Sequence, residues 1–170
     1  MKKHYILVAL LSVYVLTGCD HHKSDVHDAA HNEVDLSATP AELKLTPQFQ
    51  DVLKKEMQEI QAAMQVILPL LTKGESEKTA KLADQIHSSF ILRQTLSPEE
   101  LKELVQLLPA RFIKMDRAFH AEAAKLATAA REGDFKKSAE IYGVMVNACV
   151  SCHTQFAQEQ FPDLNRQQER

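Results

Sequence analysis

Apolar residues recur at helical spacing along the chain from about residue 46 to residue 158. They lie three or four positions apart, the stretch holds only three glycines, and it lacks the alternation typical of strands. This period is typical of helices that bury one face. The pattern therefore predicts one all-α domain.

Start and stop signals divide this stretch into four main helices and a short one. Thr46 before Pro47 predicts the start of the first helix, which ends near Gly74. The second main helix covers about residues 75–94. A Ser-Pro-Glu-Glu cap at residues 97–100 opens the short helix.

The third main helix is predicted from Pro109 to about Arg131, and Asp134 caps the last one. Four long helices with short connections predict an antiparallel, up-down-up-down four-helix bundle. The residues expected to face inward are Leu53, Met57, Ile60, Met64, Ile67 and Leu71 in the first helix, Ala83, Ile86 and Phe90 in the second, Phe112, Met115, Phe119, Ala123, Leu126 and Ala130 in the third, and Phe135, Ala139, Tyr142, Val146, Cys149, His153 and Phe156 in the last.

The beginning of the chain resembles a bacterial lipoprotein signal. Two lysines precede an apolar run over residues 5–16, which is too short to span a bilayer. The Leu-Thr-Gly-Cys box that ends at Cys19 resembles a lipoprotein cleavage site, which implies that residues 1–18 are removed and that Cys19 is lipidated. Asp20 favours retention at the inner membrane. The alternative is an uncleaved leader in which Cys19 is incidental.

Polar segments flank the helical domain, which is assigned to residues 46–158. Residues 19–45 hold four of the eight histidines and few core-forming residues, which predicts a flexible tether. Within it, His27 and His31 are one helical turn apart and could hold a metal ion, but a solvated linker is the simpler interpretation. Residues 159–170 are polar and rich in Gln, so this tail is expected to fray.

The charge balance gives no indication of nucleic-acid binding. Without the two lysines of the leader, 18 basic residues stand against 23 acidic ones, a net charge of −5. A chain with this balance lacks the excess of basic residues that phosphate backbones attract.

The strongest chemical signal is the C-x-x-C-H run at residues 149–153, the spacing that attaches c-type haem. Two thiols reach the two vinyl groups on one porphyrin edge, and an imidazole binds the iron. On a helix, Cys149, Cys152 and His153 can face one macrocycle. The alternatives are a redox dithiol, which usually lies near a β-α-β pattern, and a zinc site, which needs ligands from a second cysteine pair. The third cysteine, Cys19, supplies no such pair.

The bundle and this run resemble the class II c-type cytochromes, the family of cytochrome c prime and cytochrome c556, over about residues 47–158. The resemblance implies one covalently attached haem c, with thioether bonds from Cys149 and Cys152 and with His153 as the proximal iron ligand. The family commonly has an Arg four residues after this His, where the present chain has Ala157.

In this family the distal ligand separates two functions. An apolar distal side chain leaves the iron five-coordinate and able to bind nitric oxide or carbon monoxide, whereas a Met sulfur makes it six-coordinate and suited to electron transfer. In an antiparallel bundle the opening turns of the first helix lie level with His153. Met57 is a little inward of that level and Met64 is about 10 Å deeper, so Met57 is the predicted distal ligand.

Other interpretations of the distal position stay open. Met57 could be ordinary core filler. An ungapped alignment that ends at Gly74 puts Gln58 at the distal position instead. His87 and His120 are further candidate iron ligands, because each follows an inward-facing residue.

These patterns predict a periplasmic, lipid-anchored cytochrome that carries single electrons between redox partner proteins of a respiratory chain and is not an enzyme. The exposed faces of the first two helices are compatible with a homodimer. The alternatives are a gas-binding cytochrome with five-coordinate iron and a structural lipoprotein with zinc at residues 149–153.

Overall fold

The computed structural model describes residues 41–164, which form six α-helices and one 3₁₀ turn. The predicted signal sequence, Cys19, the tether up to residue 40 and the tail from residue 165 lie outside the described residues. Within the described part of the chain, none of the helices combines the length and the apolar character needed to cross a membrane.

The six helices differ widely in length. Four of them form the bundle, and two shorter ones lie in the connection between the second and third of these. Their bounds are Pro47–Thr72 (α1), Ser76–Ser88 (α2), Leu92–Thr95 (α3), Pro98–Leu107 (α4), Ala110–Arg131 (α5) and Phe135–Phe156 (α6), and the 3₁₀ turn covers Pro162–Leu164.

Contacts between neighbouring helices confirm the antiparallel four-helix bundle. Ser76 at the start of α2 donates a hydrogen bond to the carbonyl of Ala130 at the end of α5. His120 in the middle of α5 contacts Ile86 near the end of α2 through its ring nitrogen. The hydroxyl of Tyr142 in α6 donates to the carbonyl of Met64 in α1 at 3.0 Å. The chain is therefore all-α, with α1, α2, α5 and α6 as the bundle.

The helix ends follow the predicted caps. Thr46 accepts a hydrogen bond from the third helical residue of α1, and Asp134 accepts one from the backbone of α6 at 2.9 Å. Ser97 and Glu100 form a reciprocal capping box at the start of α4. Gly133 lies between α5 and α6 with φ +73°, a left-handed conformation that favours glycine.

The predicted second helix is too long, because α2 ends at Ser88 and not near residue 94. Ser89 has φ +65°, which breaks the helix, and α3 begins only at Leu92. The break turns the chain so that α3 and α4 pack on the first turns of α1. They form a second, smaller core beside the main one, with the buried residues Phe49, Val52, Leu96 and Leu104.

The main core lies between α1, α2, α5 and α6, and its buried residues include Ile67, Ile86, Leu126 and Met145. All six inward positions predicted for α5 are buried or half-buried. The other buried residues of this core are Ile60, Ala63, Met64, Leu71, Ala83, Ala123, Ala127, Ala129 and Ile141.

The inward face predicted for α6 is confirmed at Phe156, which is buried, and at Phe135 and Tyr142, which pack against the main core, but it is wrong by one position elsewhere. Ala139 and Val146 are exposed, whereas Ser138, Ile141 and Met145 are buried. The physical reason is that α6 packs extensively on α5 but meets α1 over only a short length, so its buried face is rotated toward α5. The side of α6 that faces away from α5 is left partly open.

The first half of α1 is rotated in a similar way. Val52 and Glu56 are buried there, whereas the predicted positions Leu53 and Met57 are half-buried. The second core accounts for this difference, because α3 and α4 draw the Val52 side of α1 inward. Leu53 and Met57 are therefore left half-buried on a flank of α1.

Candidate functional site

The C-x-x-C-H run lies in the last two turns of α6. Cys149, Cys152 and His153 are all half-buried, and both cysteines are free thiols. Because the buried face of α6 is turned toward α5, Cys149 and His153 lie on its flank and not on the core stripe where the sequence placed them. Val146 and Val150 on the same side of α6 are exposed, so this flank is apolar and open.

Burial disfavours the charged thiolate form of both cysteines. It raises the pKa of Cys149, and it raises the pKa of Cys152 to about 12, with a further contribution from the negative charges of Asp116 and of Cys149. A zinc site needs thiolates and four ligands. Across residues 41–164, no group of three or more His, Cys, Asp or Glu side chains is placed to hold a metal ion.

His153 presents a neutral imidazole, since burial lowers its pKa. Iron binds the neutral form of the ring, so this direction suits a ligand. The ring of Phe161 stacks on it, with centroids 4.4 Å apart and planes 9° from parallel. Phe161 belongs to the tail that was expected to fray, but residues 157–164 instead fold back against the end of α6.

Met57 lies on the half-buried flank of α1 and packs against the main core. The contact between Tyr142 and Met64 sets the level of the two antiparallel helices. Met57 is seven residues before Met64, and Cys149 is seven residues after Tyr142, so the count puts Met57 level with Cys149. His153 lies four residues further along α6, about 6 Å along the axis at 1.5 Å per residue. This count puts Met57 near the height of the C-x-x-C-H run, and its role as the distal ligand stays a prediction.

A comparison with protein-family models adds the decisive observation, because the model described as Cytochrome C' matches residues 48–157. The chain belongs to the cytochrome c′ family. Proteins of this family bind covalently attached haem c, are typically electron carriers or gas-binding proteins, and are typically periplasmic. No curated protein and no solved structure shows significant similarity to the chain.

The residues present on the flank of α6 fit the haem of a cytochrome c′. Two unpaired thiols and a neutral imidazole stand on one side of a helix, at the spacing that the cofactor requires. Val146 and Val150 beside them are exposed and do not pack in the core. A porphyrin bound on this flank would cover these apolar side chains.

The two other histidines of the domain are engaged between α2 and α5 of this cytochrome. His120 lies 2.6 Å through Nδ1 from the carbonyl of Ile86 and 3.5 Å through Nε2 from Asp116. His87 contacts the carbonyl of His120 through Nδ1 at 3.0 Å. Both rings thus hold two helices together, whereas the ring of His153 stacks only on Phe161 among the contacts of residues 41–164.

Sequence reasoning missed Glu56, which precedes Met57 and is fully buried. Its carboxylate accepts hydrogen bonds from the backbone N–H groups of Phe90 at 2.9 Å, Ile91 at 2.5 Å and Leu92 at 3.2 Å. A signal was present, because Glu56 is four residues from apolar positions on either side and so interrupts a buried stripe. Its partners, however, lie more than thirty residues further along the chain.

Proposed function

We propose that this protein is a lipid-anchored, periplasm-facing cytochrome that carries single electrons, with Cys149 and Cys152 attaching its haem and His153 as the proximal ligand. The observation that carries the proposal is the half-buried flank of α6, where two free thiols and an imidazole whose neutral form burial favours stand within five positions. When bound there, the haem supplies reversible Fe(III)/Fe(II) one-electron chemistry.

The chain's own residues support transfer of electrons. Met57 would offer its thioether to the iron from α1 while His153 held it from α6, and two protein ligands would keep reorganisation of the site small. The hydrogen bond from Tyr142 to the Met64 carbonyl joins the two helices that carry these residues. Such a protein exchanges electrons with redox partner proteins and catalyses no reaction of its own.

Gas binding by five-coordinate iron is the second candidate function. It is favoured by the packing of Met57 against the main core and by the half-buried, apolar Leu53 one turn away. A Met57 side chain held in the core would lie on the distal side of the haem without binding the iron through its sulfur. The iron would then be free to bind nitric oxide or carbon monoxide.

Absorption spectra of the ferrous, haem-loaded protein before and after addition of carbon monoxide test the assignment. We expect sharp low-spin bands that the gas leaves unchanged. Replacement of Met57 by Leu should then give a high-spin, gas-binding haem. Met64→Leu is the matched control, because Met64 is a buried Met of the same helix two turns away, and it should leave the spectrum unchanged. A wild-type spectrum that shifts with the gas would instead establish the gas-binding function.

The lipid anchor is a separate part of the proposal, since Cys19 lies outside the described residues. The lipoprotein-like box before Cys19 supports it, and Asp20 supports retention at the inner membrane. Mass spectrometry of the purified protein should show a chain that begins at an acylated Cys19, and a Cys19→Ser variant should lack the acyl groups. A wild-type chain that keeps residues 1–18 and carries no acyl group would show that an uncleaved leader holds the protein.

A further inference from the structure

The ring of Phe161 covers one face of the His153 imidazole. The near-parallel planes and the 4.4 Å separation of the ring centroids describe a stacked pair. The other face of Phe161 is open, because the residue is 40% exposed. This aromatic side chain therefore makes its ring contact with His153 while contributing little to the core.

Among residues 41–164, an aromatic ring and not a polar group contacts the His153 ring. An iron-binding His normally donates from its second ring nitrogen to a carboxylate, a carbonyl or water, and this bond sets the plane of the ring. Within residues 41–164 the His153 ring has no such hydrogen-bonding partner, and its ring contact is the stack with Phe161. The stack is thus the contact available to set the ring plane.

Phe161 is itself held in place by the turn that follows α6. Its N–H donates to the carbonyl of Ala157 at 3.0 Å, and its carbonyl accepts from Leu164 at 3.2 Å. The 3₁₀ turn Pro162–Leu164 follows directly, and proline restricts the backbone at its first residue.

The other end of the domain braces the same turn. The N–H of Glu159 donates to the side chain of Glu42 at 2.8 Å, and the N–H of Ala41 donates to the carbonyl of Gln155 at 2.8 Å. Residues just before α1 are therefore tied to the end of α6 and to the turn that follows it. The backbone hydrogen bonds of this turn therefore hold Phe161 in place, although its ring is partly exposed.

We propose that Phe161 is a positioning residue for the proximal imidazole, which fixes the plane of the His153 ring and shields the ring from water. The inference rests on the proposed role of His153 as iron ligand. The stack can hold the His153 ring in one orientation relative to the haem even though no hydrogen-bond acceptor among residues 41–164 does so. The apolar cover also limits the access of water to the proximal side, and such access affects the reduction potential.

The test uses the full-length, haem-loaded protein in three forms: wild type, Phe161→Leu and Phe161→Tyr. We expect Phe161→Leu to change the electron paramagnetic resonance anisotropy of the ferric haem, which depends on the plane of the axial imidazole. We also expect a downward shift of its reduction potential, because water near the site stabilises Fe(III). Phe161→Tyr keeps the ring and should retain both wild-type values.

A direct readout of the contact does not depend on electron transfer. In the diamagnetic ferrous protein, saturated with carbon monoxide if the iron is open, ¹³C-labelled phenylalanine should show a nuclear Overhauser contact with the His153 ring. Absence of that contact, or wild-type anisotropy and potential in Phe161→Leu, would overturn the proposal. If Phe161→Leu fails to load haem, the Overhauser contact and the Phe161→Tyr variant still decide it.

Phe112→Leu is the matched control. Phe112 packs edge-to-face on Phe156 at the same end of the bundle, with ring centroids 5.4 Å apart, and it is buried. Its replacement should lower the thermal midpoint and leave the anisotropy unchanged. If the protein carries no covalent haem, the proposed function is refuted. If it carries haem but Phe161→Leu leaves the anisotropy and the reduction potential unchanged, only the present inference is refuted.

Discussion

A buried carboxylate joins α1 to the corner between α2 and α3. Both oxygens of Glu56 accept hydrogen bonds from consecutive backbone N–H groups, which would otherwise be buried without partners. We expect Glu56→Ala to lower the free energy of unfolding by about 3 kcal/mol, and Glu56→Gln by about 1–2 kcal/mol, because an amide can accept through only one of its two polar atoms.

Urea unfolding of the haem-loaded protein, followed by circular dichroism, measures this effect. Glu59→Gln is the control, since Glu59 is exposed on the same helix, and it should change the free energy by no more than about 0.5 kcal/mol. Equal changes at the two positions would contradict the role of Glu56.

The proton on His120 links stability to pH. Burial lowers its pKa, but the hydrogen bond and charge of Asp116, the Ile86 carbonyl and the charge of Glu56 outweigh burial and raise the pKa. The folded protein therefore binds this proton more tightly than the unfolded chain. The stabilisation is full below the ordinary His pKa of about 6.5 and is lost as pH rises through the folded value.

Thermal midpoints of wild type and His120→Asn between about pH 6 and pH 9 check this prediction. Asn keeps a donor for the Ile86 carbonyl but carries no charge, so the advantage of wild type should shrink as pH rises. Asp116→Asn should weaken the same dependence. Parallel curves for wild type and His120→Asn would show that another group is responsible.

At the scale of single residues, the sequence predicted those functional residues that lie close to one another along the chain. Cys149, Cys152 and His153 stand within five positions, so their spacing alone indicated haem attachment. Glu56 and Phe161 were missed as functional or structural positions. The partners of Glu56 are more than thirty residues away, and Phe161 meets His153 only because the tail folds back.

At the scale of helices, two glycines should respond in opposite ways to the same substitution. Gly133 has φ +73°, so an alanine there must adopt a left-handed conformation. Gly143 lies inside α6, and a methyl group added to it would meet nothing within 4 Å. We expect Gly133→Ala to destabilise the protein by about 1 kcal/mol and Gly143→Ala to stabilise it by about 0.5–1 kcal/mol.

Thermal unfolding of the two variants and wild type measures the difference. The pair is its own control, because both changes add one methyl group at an exposed position. A loss of stability in Gly143→Ala would mean that another group packs closely against this part of α6 in the haem-loaded protein.

Helix ends were well predicted where their signals are local. Thr46, Ser97 and Asp134 cap the helices that the sequence assigned to them. The end of α2 was not predicted, since Ser89 has no side-chain property that demands a left-handed backbone. The break is favoured by Glu56, a residue of another helix that binds the N–H groups after it.

At the scale of the whole molecule, the main core should dominate stability. Leu126 is fully buried between the bundle helices, whereas Leu107 at the end of α4 is 41% exposed. We expect Leu126→Ala to cost about 3–4 kcal/mol through lost burial and the cavity it leaves. Leu107→Ala should cost less than about 1 kcal/mol. Urea unfolding of both variants measures the costs, and similar values would mean that Leu107 is buried in the haem-loaded protein.

The sequence by itself determined the helical class, most helix ends, the antiparallel bundle and the haem motif. Periodicity, caps and the C-x-x-C-H spacing express forces between residues close along the chain, so each could be recognised without coordinates. The tertiary structure alone decided how each helix is rotated. The packing of α6 on α5, and of α3 and α4 on α1, turned the buried faces by one position and left Met57, Cys149 and His153 half-buried on the flanks of their helices. Rotation follows from which surfaces bury most area together, and that depends on contacts between distant parts of the chain.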